Sequence, residues 1–283
     1  MTTHSVPRGI ARLADPPVRR GPLPDHQVRI LIDFAEAAES DPFLALADDR
    51  LGASAFGPHP HRGMETVTYV IAGQVDHRSS MGSSGVIGPG DVQWMTAGRG
   101  VVHDERTAED RPNRILQLWV NLPAHAKMAP PRYQTLLAGD MPHRQWPGGE
   151  YRLFSGALDG LTAPTLNHVP VLMVDLRLDA EGEARIDIPS GHNGFLVVLE
   201  GTVLAGRDRT MLSEDMIGWM TGEEESSGSH IPLAAMDGPT HILLFAGRPI
   251  GEPIVARGPF VMNSEEEIVR AYADYRAGRF TEL

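Results

Sequence analysis

The sequence predicts an all-β chain built from two copies of one β-domain in tandem, followed by a single C-terminal helix. Glycine and proline account for 30 and 23 of the 283 residues, well above the about 12% of average usage. They punctuate short β-rich runs such as residues 66–71 and 195–199. Gly88-Pro89-Gly90 and Gly148-Gly149 mark turns, and many short strands between turns indicate a sandwich or a barrel. The chain also repeats itself. Tyr69-Val70-Ile71-Ala72-Gly73-Gln74-Val75 is echoed by Val197-Val198-Leu199-Glu200-Gly201-Thr202-Val203, and Trp-Met-Thr follows each, at 94–96 and 219–221. The offsets of 128 and 125 residues agree to within a short loop change, so two copies of one unit is the economical reading.

The division between the copies is expected within residues 122–165, which hold the polar, proline-rich runs 127–132 and 141–149. We set it at 130/131, giving domains 1–130 and 131–283. The terminal helix starts at Ser264-Glu265-Glu266-Glu267, a capping box with acidic residues at the positive end of the helix. Ile268, Tyr272 and Tyr275 then fall at i, i+4 and i+7, and Gly278 supplies the stop. Such a helix packs on the outside of a β-domain, and its glutamates are caps.

Hydrophobic residues make up 41% of the chain and the formal net charge is -12. That balance argues against broad nucleic-acid or anionic-membrane binding. Cysteine is absent, which excludes disulfides, thiolate zinc sites and cysteine nucleophiles, and leaves His, Asp and Glu to hold any metal. Residues 1–24 are polar, contain Arg8, Arg12, Arg19 and Arg20, and lack an apolar h-region. They read as a solvated arm. No run approaches the ~20 apolar residues of a membrane span, and a cytoplasmic location is the expectation.

The chemistry lies in two short stretches. His59-Pro60-His61 and His103-Asp104-Glu105 each place two metal-ligand types two residues apart. On a strand, i and i+2 project from one face. Two such pairs on neighbouring strands converge three imidazoles and a carboxylate on one point, leaving positions for water or substrate. A single HxH arises by chance in a histidine-containing protein; a second ligand pair at the matching place in a β-unit is far rarer. The other nine histidines, His4, His26, His77, His125, His143, His168, His192, His230 and His241, earn no role from spacing. Gly88, Gly90, Gly98 and Gly100 flank the second pair and allow tight turns at a strand end. The donor set suits Fe(II), Mn(II), Ni(II), Cu(II) or Zn(II). With one Glu the ion keeps a net charge of +1, which attracts an anionic bidentate or enolate-like ligand. A shell of four protein donors fits oxygen activation or a structural metal better than a zinc protease, and HExxH, P-loop and GxSxG motifs are all absent.

Residues 56–69, from Phe56 through His59 and His61 to Tyr69, resemble the first signature of the pirin family of bicupins. So do residues 85–105, from Gly85 to Glu105, and a third stretch, 252–263, resembles the family's segment before its last helix. The resemblance spans nearly the whole chain. It implies two cupin (jelly-roll-like) β-barrels, with one divalent metal, usually Fe(II), in the N-terminal barrel. It assigns His59, His61, His103 and Glu105 as ligands, the four residues reached from spacing. Glu65 stands where many cupins supply a glutamate ligand, but pirins take theirs from the second motif, so Glu65 is expected to support rather than bind. In the second copy the repeat offsets set Asp187, Pro189, Gly228 and His230 opposite the four ligands, which implies a degenerate, metal-free C-terminal barrel.

Two functional classes follow from the resemblance. One is a quercetin 2,3-dioxygenase, which opens a flavonol with O2 and releases CO, with Glu105 as the catalytic base and a small planar phenolic substrate. The other is a non-enzymatic iron-binding regulator of a transcription factor or metabolic enzyme, whose partner is a protein. A structural metal without turnover has the same sequence signature. A dioxygenase needs a cavity at the metal large enough for a flavonol, lined by stacking rings; Phe56, Tyr69 and Trp94 are the nearest candidates in sequence.

Overall fold

The computed structural model describes residues 5–23, 25–52, 55–108, 111–222 and 228–280. It divides into two compact units, each built from two stretches of chain: Pro17–Gly139 with Ile250–Leu283, and Met1–Pro16 with Asp140–Pro249. The change at 139/140 lies near the expected 130/131 division, but each terminus belongs with the other half of the sequence.

In the first unit, seven strands form one sheet in the order Arg132–Leu136, Val92–Thr96, Met64–Ala72, Asn113–Asn121, Phe43–Leu51, Gln27–Ile32 and Arg19–Arg20. A second sheet has four strands, Ala55–His61, Val101–Thr107, Val75–Ser79 and Ser84–Ile87. The other unit repeats the plan with sheets of seven and five strands. The sequence repeat is structural. Met64–Ala72 pairs antiparallel with Val92–Thr96, placing Val67 opposite Trp94, and Asn193–Glu200 pairs antiparallel with Ile217–Met220, placing Phe195 opposite Trp219. The interior of the second unit is filled by aliphatic side chains from both of its sheets, including Leu153, Leu176, Leu196, Val203, Leu212 and Ile231. Of the residues that the repeat offsets set opposite the expected ligands, Asp187 is exposed and pairs across the sheet with half-buried His230.

The solvated arm expected of residues 1–24 is corrected over residues 6–14. Ile10–Ala14 is the edge strand beside Ile217–Met220, and Val6–Pro7 pairs parallel with Ser229–Ala235. Arg8 between them is 1% exposed and donates to Ser229 Oγ at 2.9 Å and to the His192 carbonyl at 2.8 Å. A guanidinium can be buried when such acceptors meet it, and no local pattern in the arm announces acceptors about two hundred residues away. Residues 1–4 and 24 lie outside the described residues.

The one α-helix among the described residues is Glu265–Arg276, with both capping-box bonds of Ser264 and Glu267 formed. Ile268 and Ala271 bury against Phe260, Met262 and Phe280, while Tyr275 of the expected stripe stays exposed. Arg62, beside His61, donates to Asp274 at 2.8 Å and lies over the Phe280 ring. Lys127 makes a deeper tie. It is 1% exposed and its Nζ donates to the carbonyls of Gly63 and Val261 and to Asn121 Oδ1, at 2.9, 3.1 and 2.6 Å.

Burial pushes the Lys127 ammonium down from 10.5 to about 7, against the pull of Glu252, Glu267 and Asp41. Between those two values the unfolded chain binds a proton that the folded chain does not, so this group's contribution to stability rises with pH across that window. Urea unfolding should therefore show the wild type gaining about 2 kcal/mol on Lys127→Met from about pH 7 to about pH 9. A difference that stays flat over that range would mean the buried amine titrates no earlier than a free lysine.

Candidate metal centre

The strands Ala55–His61 and Val101–Thr107 are antiparallel neighbours, with His59 directly opposite His103. The register slips between His103 and Glu105, so that Glu105 faces Phe56. Three of the four expected ligands are brought together. Donor atoms of His59, His61 and His103 all lie within 4.8 Å of one another, the only such group of three or more among the described residues. Their ring centroids are 4.2 Å apart for His59–His103, 4.9 Å for His59–His61 and 5.1 Å for His61–His103.

The hydrogen bonds show which nitrogens are free. His59 Nδ1 is 2.8 Å from the Gly57 carbonyl; a carbonyl only accepts, so Nδ1 carries the proton and Nε2 keeps its lone pair. His103 Nδ1 meets the Tyr133 hydroxyl at 3.0 Å, and its Nε2 is buried without a partner, as are both ring nitrogens of His61. Buried polar atoms are ordinarily satisfied. Orphaned imidazole nitrogens converging on one point are what a divalent ion would fill, so the residues present fit a metal. Burial lowers all three rings. His61 falls to about 3, helped by His59, with the nearby Pro259 carbonyl opposing although it makes no well-formed bond to the ring. His103 goes well below the ordinary value for the same reason, with His61, His59 and His77 adding to it, and His59 is lowered despite its bond to Gly57. Neutral imidazole is the ligating form.

Glu105 stands apart from this group. It is 4% exposed and lines the same cavity as His59 and His61. Its Oε1 lies 3.1 Å from Thr68 Oγ1, which is also 2.6 Å from Gln117 Oε1. One hydroxyl proton cannot serve both oxygens, and turning the Gln117 amide over lets Gln117 donate to Thr68 while Thr68 donates to Glu105. Burial, with Asp49 and Asp104 adding to it against the Thr68 bond, raises the Glu105 carboxyl to about 7. Glu65 is fully buried and committed elsewhere, accepting from Trp94 Nε1 at 3.0 Å and Thr96 Oγ1 at 2.6 Å. His77 stacks on Tyr133 with centroids 3.9 Å apart, packing behind the ring that meets His103.

The centre opens into a cavity of about 750 Å³, walled by Val28, Ile30, Ile32, Phe34, Phe56 and Trp119. Of the stacking rings expected from sequence, only Phe56 lines it; Tyr69 and Trp94 are buried in the core. Trp119 lies on Asn113–Asn121, with its ring edge-on to His61 at 5.3 Å. It and Phe34 are the rings that sequence proximity missed. The one signal was that Gln117 and Trp119 share a strand face.

Two β-units of this topology, with three imidazoles that fit a metal held on neighbouring strands of one of them, define a two-domain cupin. The chain belongs to the pirin family: the Pirin model matches residues 20–120 and the Pirin C-terminal cupin domain matches residues 173–281. It is 40% identical over 258 residues to a protein of Pseudomonas aeruginosa provisionally named a quercetin 2,3-dioxygenase, covering 89% of this chain and 85% of that one. A crystal structure from Geobacillus kaustophilus superposes with a TM-score of 0.85 at 39% identity, covering 88% of this chain and 99% of the other. A quercetin 2,3-dioxygenase from Acinetobacter baumannii superposes with a TM-score of 0.84 at 31% identity, covering 96% and 98%.

Proposed function

We propose that this chain is a metal-dependent dioxygenase of the quercetin 2,3-dioxygenase type, with one divalent metal, Fe(II) in its working form, held by His59, His61, His103 and Glu105. The observation that carries this reading is the cavity. At about 750 Å³ with an apolar wall, it lies within the ~300–1,000 Å³ of sites that enclose small organic ligands, and His59, His61 and Glu105 form part of its lining. A protein acting only through its outer surface has no need of such a space. The similarity to proteins named quercetin 2,3-dioxygenase supports the same assignment.

A divalent ion held there would supply Lewis acidity to the 3-hydroxyl of a flavonol. The chain's own residues do the rest. Trp119, Phe34 and Phe56 offer flat apolar surface to a planar ring system and keep bulk water from it. Glu105 accepts the 3-hydroxyl proton. Its buried carboxyl lines the cavity, where a general base must stand to reach the proton it takes, and Thr68 fixes its orientation. Overall, flavonol and O2 yield the ring-opened ester and CO. The C-terminal barrel takes no part in holding the metal.

The test is aerobic turnover of quercetin by Fe(II)-loaded protein, read as loss of flavonol absorbance with stoichiometric CO. Ring opening that requires the metal is the expected result. A protein shown to hold iron, manganese, nickel or copper that turns over no flavonol with any of them would instead be read as the non-enzymatic regulator.

A further inference from the structure

The cavity holds a second polar feature that the metal centre does not use. His26 and Asp49 both line it and are 3% and 5% exposed. His26 Nε2 lies 2.7 Å from Asp49 Oδ1; a carboxylate only accepts, so Nε2–H donates. The ring is fixed by packing. A Cβ on Gly21 would fall 2.1 Å from His26 Nδ1, so only glycine lets the chain pass this close, and the Phe56 ring meets His26 edge-on at 5.7 Å. Asp49 sits on Phe43–Leu51 opposite Val28, in a wall otherwise formed there by Val28, Ala47 and Phe56.

As a fold element alone this carboxylate is expensive. A nearly buried charge is ordinarily met by several donors, yet among the described residues only His26 bonds Asp49 and nothing bonds its Oδ2. An acceptor left open on an apolar cavity wall is a recognition group. A ligand hydroxyl can donate to it, whereas a ligand carboxylate is repelled.

We propose that Asp49, held in position by His26, binds a hydroxyl of the aromatic ligand other than its 3-hydroxyl, so that the cavity selects polyhydroxylated flavonols over the bare 3-hydroxyflavone skeleton. This rests on the flavonol reading above, and it adds a selecting residue and a substrate subclass to it. Asp49 is the binding residue. His26 is a positioning residue, fixing the carboxylate through Nε2–H.

The experiment is equilibrium binding of quercetin and of 3-hydroxyflavone to the metal-loaded protein under argon, where neither is consumed. A hydrogen bond to a charged group corresponds to about tenfold or more in affinity, so the wild type should prefer quercetin by at least about that factor. Asp49→Asn preserves shape and should bring the preference within about threefold, quercetin losing far more affinity than 3-hydroxyflavone. His26→Ala should lose the preference similarly and His26→Gln, which retains an N–H donor, should restore part of it. The proposal is overturned if the wild type shows no preference, if neither flavonol binds, or if Asp49→Asn weakens both ligands equally or leaves the ratio intact. Turnover is a separate readout. Selective binding without turnover removes the dioxygenase and leaves this site standing; turnover without selectivity does the reverse.

Discussion

Exchanging His61 for alanine should abolish metal loading: bound metal per chain, measured after anaerobic incubation with Fe(II) and desalting, should fall below about a tenth of wild type. Of the three rings, His61 is the one with both nitrogens buried and unpartnered. It is 3% exposed, and its ring touches both other imidazoles. Losing it leaves two imidazoles and the Glu105 carboxylate, which stands apart from the three rings, one donor short of the proposed set. A ligand that binds only the folded state stabilises it by about 4 kcal/mol at a thousandfold excess over Kd, worth roughly 8–16 °C in a chain of this size. Metal should therefore raise the melting temperature of the wild type by several degrees and leave His61→Ala unmoved. In the absence of metal the variant should be close to wild type, because the cost of a small cavity is offset by removing two unsatisfied buried nitrogens. A His61→Ala protein that retains one metal per chain would show that the ring is not a donor.

The reason this centre can be read from sequence is local. The i, i+2 rule places both members of each pair on one strand face, and one further assumption, that the two strands are neighbours, brings His59, His61 and His103 together; the register bears it out. Glu105 shows what the rule leaves open. It keeps the alternation of its own strand, the extra residue of the bulge lying on Ala55–His61, yet its carboxylate faces the cavity without joining the three donors. The repeat and the capped helix were likewise local patterns. What escaped depends on contacts distant in sequence. His26 had no spacing argument because its partner Asp49 lies on another strand. Trp119 reaches the cavity from Asn113–Asn121, whereas Trp94, closer in sequence to the ligands, points into the core. The pairing of Ile10–Ala14 with Ile217–Met220 joins segments that no window along the chain can compare, so the arginines in and around it read as a solvated arm.

Replacing Glu105 with glutamine should lower flavonol turnover by about 10²–10⁴-fold while changing flavonol affinity less than about threefold. The amide keeps the size of the carboxylate and an oxygen for Thr68, so the cavity wall and the Thr68–Gln117 chain stay in place, but it cannot take up a proton at neutral pH. The split between turnover and binding is what separates a base from a structural residue. Loss of a merely structural carboxylate would weaken binding and stability together; loss of the proton acceptor acts on the reacting state alone. Metal content is measured on the same sample, because Glu105 is also proposed as the fourth donor. If Glu105→Gln holds metal through His59, His61 and His103 and binds flavonol as the wild type does, yet turns over slowly, the residue acts as the base. Wild-type turnover in that variant would move the proton to another acceptor, and metal loss would make Glu105 a ligand first.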